Sequence, residues 1–467
     1  MEAQKFLRRW IAPCMALFAA STLYSQSVMD LFSTLLCLFC VYDLFWLQDP
    51  QAKLTQLKKW KVLFPKLFVG SLFLIWWIIV AIGLFLNDYQ HAPVAKVLIN
   101  FKWIFIWYVL VHVFRRVPVT SKQLFWSSLI VLTTTIYSLV LFFMKYDPGE
   151  DMWFESLASM RSGGVFYNPM TYAHSFAMIL FVLLGAILGA SFEKQPPSNK
   201  PPSIKSCFQS LWSTEETQWK SWFTFISFVL LFISVFLSMT RGVWAGIFVG
   251  LLMMAFLIRP LLGCVTTVLA GLSIGVLFMT WKTFADRIMH VFDYQNNYDL
   301  QRVTLWKANW QIFLDHPWFG MGYTENARRL VEYYAKMGIP EERHFVSHAH
   351  NQYLHMLAGT GVFGLVIFLS VLLFFLVITW KAWRLETQRF TKFVLLGCLS
   401  AQVCFHLGAL TEANFEHSKV RFVLMLVWAF ATARYLDLKG VRNENHAHWD
   451  QSGHRSSDVQ ARLEPRP

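Results

Sequence analysis

Arg241 is the side chain whose position most clearly suggests chemistry. It lies in the short polar turn Ser238–Gly242, between two strongly apolar stretches. A cation near membrane depth is costly unless it is paired, lines a wet cavity or snorkels to lipid headgroups. Its planar guanidinium can also donate two parallel hydrogen bonds to a phosphate. The position therefore predicts either a headgroup contact or a binding site for an anionic ligand at the membrane surface.

A group of histidines lies just ahead of another long apolar stretch. His348 and His350 are followed by Asn351, with His344 before them and His355 after them. Their spacing allows three interpretations, namely a metal site, buried structural histidines or a general base. Because no cysteine, Asp-x-Asp pair or obvious carboxylate accompanies them at a standard spacing, we expect no metal ion. A neutral imidazole beside arginines fits a general base, since nearby cations disfavour its protonation.

Three further polar segments hold additional candidates. Arg302 opens a segment with apolar side chains on one face at helical spacing, namely Val303, Trp306, Trp310, Phe313 and Leu314. Arg161 precedes a glycine-rich turn, and Glu412 lies in a turn between two apolar stretches. Glu412 could orient an arginine or a histidine, although an exposed carboxylate at a helix end is the commoner role.

The composition indicates which elements must position these residues. Of 467 residues, 56% are hydrophobic and 15% are charged, with a mean hydropathy of +0.43. Soluble domains average about 25% charged residues, so a soluble enzyme, a disordered protein and a secreted disulfide scaffold are excluded. Apolar runs predict twelve membrane-spanning helices. They are Trp10–Tyr24, Val28–Leu47, Leu67–Leu86, Val94–Phe114, Leu124–Met144, Met170–Ala190, Trp222–Leu237, Val243–Leu257, Leu261–Met279, Gly361–Trp380, Phe393–Leu410 and Val420–Leu436.

The distribution of basic residues predicts the orientation. The net charge of +13 by itself suggests a nucleic-acid partner. With a cytoplasmic N-terminus, however, 26 of the 41 Lys and Arg residues fall in cytoplasmic segments, and 8 lie in the long loop after span nine. This asymmetry predicts that both termini are cytoplasmic, and it removes the reason to expect nucleic acid. Lys96 and Lys102 fall inside the fourth span, where they either snorkel or line a groove.

We therefore expect four regions. Spans one to nine occupy 1–279, and a mostly helical outside loop, which holds candidate residues such as Arg302 and His350, occupies 280–360. Spans ten to twelve occupy 361–436, and a disordered cytoplasmic tail occupies 437–467. None of the seven cysteines falls in an outside segment, so we expect no disulfide framework.

These residues resemble the O-antigen ligase and polymerase superfamily of bacterial envelope glycosyltransferases. Its most specific motif is a His followed by Asn, Ser or Gln, nine residues, a Gly, two residues, and Gly, Thr or Tyr. The positions that fit are His350, Asn351, Gly361 and Gly364. Supporting elements are Thr240-Arg241-Gly242, Arg302 ahead of Trp306, and the turns at 161–169 and 316–322. The resemblance covers roughly residues 161–421.

The resemblance implies an all-α polytopic membrane protein with a GT-C-like glycosyltransferase architecture, in the bacterial inner membrane. Transfer would invert the anomeric centre at the periplasmic face, without a metal or another cofactor. The donor would be a glycan on undecaprenyl diphosphate, and a ligase would use a sugar hydroxyl of lipid A–core as acceptor. By motif match, His350 would be the base, and Arg241 and Arg302 would bind the diphosphate. Arg161, His348, Asn351 and Glu412 are secondary candidates.

Three alternatives stay open. An O-antigen polymerase would use the same donor with a lipid-linked glycan as acceptor, and a protein O-oligosaccharyltransferase would modify Ser or Thr. A transporter of anions or lipid-linked glycans is a different class. It would be expected to place charge at mid-membrane or to show paired halves, whereas the candidate residues gather at one predicted face.

Overall fold

The computed structural model describes residues 6–22, 26–43, 67–87, 101–117, 121–144, 168–193, 215–289, 297–341 and 344–460. Within these ranges the chain is helical and contains no strand, and a π-helical turn at Leu7–Ile11 precedes fifteen α-helices. They are α1 Ala12–Ser21, α2 Gln26–Tyr42, α3 Phe68–Leu86, α4 Lys102–Arg116, α5 Ser121–Met144, α6 Pro169–Glu193, α7 Glu215–Phe236, α8 Arg241–Ile258, α9 Pro260–Thr280, α10 Lys282–Met289, α11 Asn297–Asp315, α12 Leu330–Lys336, α13 Gln352–Leu385, α14 Arg389–Gly408 and α15 Ser418–Gln460.

Seven of the helices in the described ranges are long and apolar enough to cross a membrane. They lie in α3, α5, α6, α8, α9, α13 and α14, and α2 and α7 contain shorter apolar segments. This agrees with the predicted polytopic all-α protein. The number of twelve spans and the GT-C-like architecture stay predictions.

An aromatic core joins α3, α4, α13 and α15. Trp76, Trp107 and Trp428 are fully buried, and Phe375 of α13 lies parallel to Trp428 of α15 with ring centroids 4.1 Å apart. Large rings bury much apolar area and gain further from stacking. Contacts between these rings therefore hold the four helices together. Elsewhere in the described ranges, the most extensive helix pair is α6 with α14.

Other apolar side chains face outward. On α13, an exposed row runs through Phe363, Val366, Leu369 and Leu373, spaced three or four residues apart. Most of α9 is similarly exposed. Such rows are typical of the lipid-facing side of a membrane helix.

The segment between α9 and α13 packs around a small core of its own. Buried side chains of α11 and α12 form this core, including Leu305, Ile312 and Tyr334. Asn326 donates to Asn309 Oδ1 at 2.7 Å, and its Nδ2 lies 2.9 Å from His355 Nδ1, which joins the segment to α13.

Helix α13 begins at Gln352 and is broken at Gly361, so the boundary expected at residue 361 falls on this break. Gly361 has φ 65° and ψ −170°, and a Cβ at this position would overlap the backbone of Trp318. The carbonyls of Ala358 and Gly359 accept hydrogen bonds from Met321 and Gly322 at 2.9 and 3.0 Å. The turn at 316–322 thus attaches to the membrane helix through backbone groups.

Two further expectations can be compared with the helices. Lys102 begins α4 and pairs with Asp30 at 3.0 Å at a partly exposed position, whereas Lys96 lies outside the described residues. Helix α15 is described from Ser418 to Gln460, and the disordered tail expected over 437–467 stays a prediction.

Candidate active site

The candidate site forms where the turn between α14 and α15 meets the start of α13. Gln352 connects the two, because its backbone N–H donates to Ala409 O at 2.8 Å. Its side-chain Oε1 accepts from the backbone N–H of Phe415, also at 2.8 Å. These bonds bring Glu412 beside the histidines that precede α13.

The Glu412 carboxylate lies among three histidines. Its Oε2 is 2.9 Å from His350 Nδ1, and its Oε1 is 2.9 Å from His348 Nε2 and 3.8 Å from His417 Nε2. The Glu412 side chain is 2% exposed. Burial alone would raise the pKa of this carboxyl, but the contacts with His348, His350 and His417 outweigh burial and hold the pKa well below its usual value. Glu412 is therefore a buried anion.

His350 is held in one orientation. Its backbone has φ 45°, a left-handed conformation that non-glycine residues seldom adopt. When Nδ1 carries the proton that Glu412 accepts, Nε2 keeps a lone pair, and the side chain is 14% exposed. An imidazole oriented in this way by a carboxylate can accept a proton from a substrate hydroxyl.

Asn351, the next residue, caps helix α13. Its side-chain oxygen accepts the backbone N–H groups of Tyr353 and Leu354, each at 3.0 Å, and so caps the first turn of α13. Asn and Ser are preferred helix-capping residues. This gives a structural reason for the residue type that follows the histidine in the motif.

His348 interacts with the other oxygen of Glu412. Burial lowers the pKa of His348, but the neighbouring Glu412 outweighs burial, and the net shift is upward from 6.5. Its ring lies edge-on to that of His350, with centroids 4.5 Å apart. The site thus combines an oriented imidazole with a second one that favours its charged form.

The ligand atoms of His348, His350 and Glu412 lie within 4.8 Å of one another, a spacing at which a metal ion could be held. Glu412 Oε2 already accepts a hydrogen bond from His350 Nδ1. A metal ion would have to replace this bond, and the sequence-based expectation of no metal stays a prediction.

Arg241 and Arg302 lie on elements that contact the site. Arg241 is the first residue of α8, and the next residue, Gly242, packs so closely on the side chain of Thr411 that a Cβ there would overlap it. Arg302 lies on α11 one turn before Trp306, whose indole N–H donates to Ala349 O at 2.9 Å. Arg161 lies outside the described residues.

The sequence profile of the O-antigen ligase family matches residues 226–369 of this chain. A curated relative, the teichuronic acid biosynthesis protein TuaE of Bacillus subtilis (strain 168), is 25% identical over 202 residues. These two similarities support a place in the O-antigen ligase and polymerase superfamily. The alignment with TuaE covers 41% of this chain, and the chain spans only 40% of the relative's length. Together with the apolar helices, these similarities indicate a multi-pass membrane protein, and they support an enzyme of the ligase and polymerase type.

The match to the O-antigen ligase family includes Arg241, Arg302 and His350 but ends before Glu412 and His417. The superfamily motif therefore carries the histidine, while its carboxylate partner comes from a later part of the chain. His417 was not among the sequence candidates, and only its position five residues after Glu412 indicated that both share one turn.

A second polar network was also missed from the sequence. Tyr323 donates to the two oxygens of Glu416 at 2.9 and 3.0 Å, and Gln352 Nε2 lies 3.5 Å from the same carboxylate. Burial and the charge of Glu416 raise the pKa of Tyr323 well above its ordinary value, so it stays a donor. This network joins the 316–322 turn region to the turn that carries Glu412.

Proposed function

We propose that this protein is an O-antigen ligase. It transfers a glycan from undecaprenyl diphosphate to a sugar hydroxyl of lipid A–core, at the periplasmic face of the bacterial inner membrane. The observation that carries the proposal is the hydrogen bond between His350 and the buried Glu412, in a chain of this superfamily. It provides a base of the kind needed to activate an acceptor hydroxyl.

In the proposed reaction, His350 Nε2 takes the proton of the acceptor hydroxyl as its oxygen attacks the anomeric carbon. The bond from that carbon to the diphosphate breaks, and the configuration inverts. The proton stays on His350, and Glu412 stabilises the imidazolium through Nδ1–H. His348 provides further positive charge at the same carboxylate.

The leaving group of this reaction is an anion, so no general acid is needed. Arg241 and Arg302 bind the diphosphate and balance the charge that develops on it, as fixed cations aimed at a transition state can do. We propose that the two guanidinium groups take the part that a metal ion has in other glycosyltransferases. Arg161 is a secondary candidate for the same diphosphate.

In the proposed topology, both termini are cytoplasmic, twelve spans form a GT-C-like fold, and the segment between α9 and α13 is periplasmic. The positive-inside distribution supports this orientation. Cysteine accessibility tests it: a single cysteine at Val331, exposed on α12, should react with an impermeant maleimide from the periplasm. Reaction only after cell lysis would contradict the orientation.

His350→Gln tests the catalytic proposal. With purified protein, lipid-linked donor and lipid A–core, we expect transfer to fall by about 10² to 10⁴-fold, the range typical of a general base. His344→Gln is the matched control, because His344 lies in the same segment and bonds Ile339 O instead of Glu412. Normal transfer by a folded His350→Gln protein would exclude His350 as the base.

O-antigen polymerase is the second candidate, favoured by the relative named for the synthesis of a different polymer. A deletion strain distinguishes the two functions. Loss of all glycan-bearing lipopolysaccharide bands indicates a ligase, and a single-repeat band indicates a polymerase. Unchanged lipopolysaccharide together with loss of protein glycosylation would indicate a protein O-oligosaccharyltransferase.

A further inference from the structure

A row of exposed apolar side chains runs along α11. Trp306, Trp310 and Leu314 are four residues apart and therefore lie on one face of the helix. Their exposed fractions are 37%, 50% and 53%, and Trp318, just beyond the helix, is 61% exposed. We call these four residues the aromatic stripe. So large an apolar surface outside the span helices indicates a binding partner.

One end of the aromatic stripe lies at the candidate active site. The indole N–H of Trp306 donates to the carbonyl of Ala349, the residue before His350. Arg302 lies four residues before Trp306 and is therefore in the same row of α11. Arg302 therefore precedes the stripe at the end that contacts the turn carrying His350, here called the catalytic turn.

The other end of the stripe lies at the lipid-facing surface. Trp318 stacks on Phe363, with ring centroids 5.6 Å apart and an interplanar angle of 28°. Phe363 is the first residue of the exposed row on α13 that continues through Val366 and Leu369. The stripe therefore reaches the lipid-facing row of α13 at one end and the turn that carries His350 at the other.

We propose that the aromatic stripe binds the isoprenoid chain of the lipid-linked donor, with Arg302 at the diphosphate end. This inference rests on the proposed function, because it assigns a subsite to the donor of that reaction. From Arg302 to Leu314 the helix rises about 18 Å. The four residues of the stripe beyond Arg302 are apolar, and the exposed Lys307 lies beside them. A surface with a cation at one end and these apolar side chains beyond it is complementary to a lipid with an anionic head and a long hydrocarbon tail.

The alternative occupant is bulk membrane lipid. A helix lying on a bilayer is typically rich in Lys and Arg along its polar face, whereas α11 carries only Arg302 and Lys307. Arg302 belongs to the row of the stripe, and the stripe ends at the catalytic turn. Both features favour a ligand of defined polarity over lipid in general.

Binding of two polyprenyl diphosphates to purified protein in detergent tests the proposal. The probes are undecaprenyl diphosphate and geranyl diphosphate, which share a headgroup but differ in chain length. For the double variant Trp310→Gln/Leu314→Gln, we expect the affinity for the long probe to fall roughly tenfold or more. The affinity for the short probe should change less than twofold. Trp310→Phe should retain long-chain binding, and Arg302→Gln should weaken both probes.

Val331→Gln is the matched control, because Val331 is 43% exposed on α12 and lies outside the stripe. Unchanged binding of the long probe by the double variant would overturn the proposal, and so would equal loss for both probes in a folded protein. A loss of activity in vesicles with unchanged affinity in detergent would assign the stripe to bulk lipid instead. If the wild-type protein binds neither probe, the proposed function fails as well. If the double variant binds the long probe and transfers glycan like the wild type, only the role of the stripe is refuted.

Discussion

His350 Nδ1 lies 2.9 Å from Glu412 Oε2, although the two residues are 62 positions apart in the chain. The bond joins the start of α13 to the turn between α14 and α15. It fixes which imidazole nitrogen carries a proton and places a buried negative charge behind the ring.

Glu412→Gln should reduce kcat by about 10² to 10⁴-fold and leave the KM for the donor nearly unchanged. The amide preserves shape but removes the charge that stabilises the imidazolium formed during transfer. Steady-state kinetics with purified protein measure the two constants separately. A rise in donor KM with unchanged kcat would instead place Glu412 in donor binding.

Arg241→Lys should lower kcat/KM for the lipid-linked donor roughly tenfold or more, because an ammonium group cannot reproduce the two parallel hydrogen bonds of a guanidinium. The control is Arg259→Lys, since Arg259 lies at the other end of the same helix α8. Near-normal turnover by Arg241→Lys would remove this residue from the diphosphate site.

Thermal stability should depend on pH through His348 and Glu412. The pKa of His348 is raised above 6.5, so its contribution to stability is complete below that pH and is lost as the pH rises through the raised value. The pKa of Glu412 is depressed below 4.5, so its contribution is present above 4.5 and is lost as the pH falls through the depressed value.

Unfolding midpoints measured in detergent from pH 4 to 9 check this expectation. The difference between wild type and His348→Gln should be largest between about pH 4.5 and 6.5 and should shrink at alkaline pH. A wild-type advantage that grows with pH would have the wrong sign for a histidine paired with a carboxylate.

Gly361→Ala should destabilise the protein by about 1 to 3 kcal/mol or more, because φ 65° is unfavourable for alanine and its Cβ would overlap Trp318. Gly271→Ala is the matched control, since Gly271 lies inside α9 with open space around its Cβ position. It should be neutral or stabilising by up to about 1 kcal/mol. Equal unfolding midpoints for the two variants would show that the break in α13 is unstrained.

Asn351→Ala should cost about 1 kcal/mol, because the first turn of α13 loses two hydrogen bonds from its cap, whereas Asn351→Ser should remain close to wild type. Transfer activity should follow the same order, since the cap also fixes the backbone next to His350. Loss of activity in Asn351→Ser, despite an intact fold, would point to a direct role of the amide in substrate binding.

The sequence identified the motif residues but not their partners. His350, Gly361 and Gly364 are recognisable because their spacing is local and reflects one helix start and one helix break. Glu412 was recognised only as a candidate that could orient an arginine or a histidine. Its pairing with His350 depends on how α13 and α14 pack, which no periodic pattern in the chain encodes.

The same limit applies to the outward-facing surfaces. Hydropathy predicted the apolar helices, but in a membrane protein lipid-facing and buried side chains have the same polarity. Trp310 and Trp428 are therefore equivalent in sequence, although one is half exposed and the other is buried against Phe375. Tertiary packing alone distinguishes them.

The turn at 316–322 is attached to α13 through main-chain groups, by bonds from Met321, Gly322 and Val362 to carbonyls on the opposite segment. Because these bonds use no side chain, substitution of the exposed Trp318 should leave the attachment intact. Gly320 is different, since its φ of 70° is left-handed and a Cβ there would overlap the backbone of Gly359. The turn therefore tolerates variation at its exposed side chain but not at this glycine.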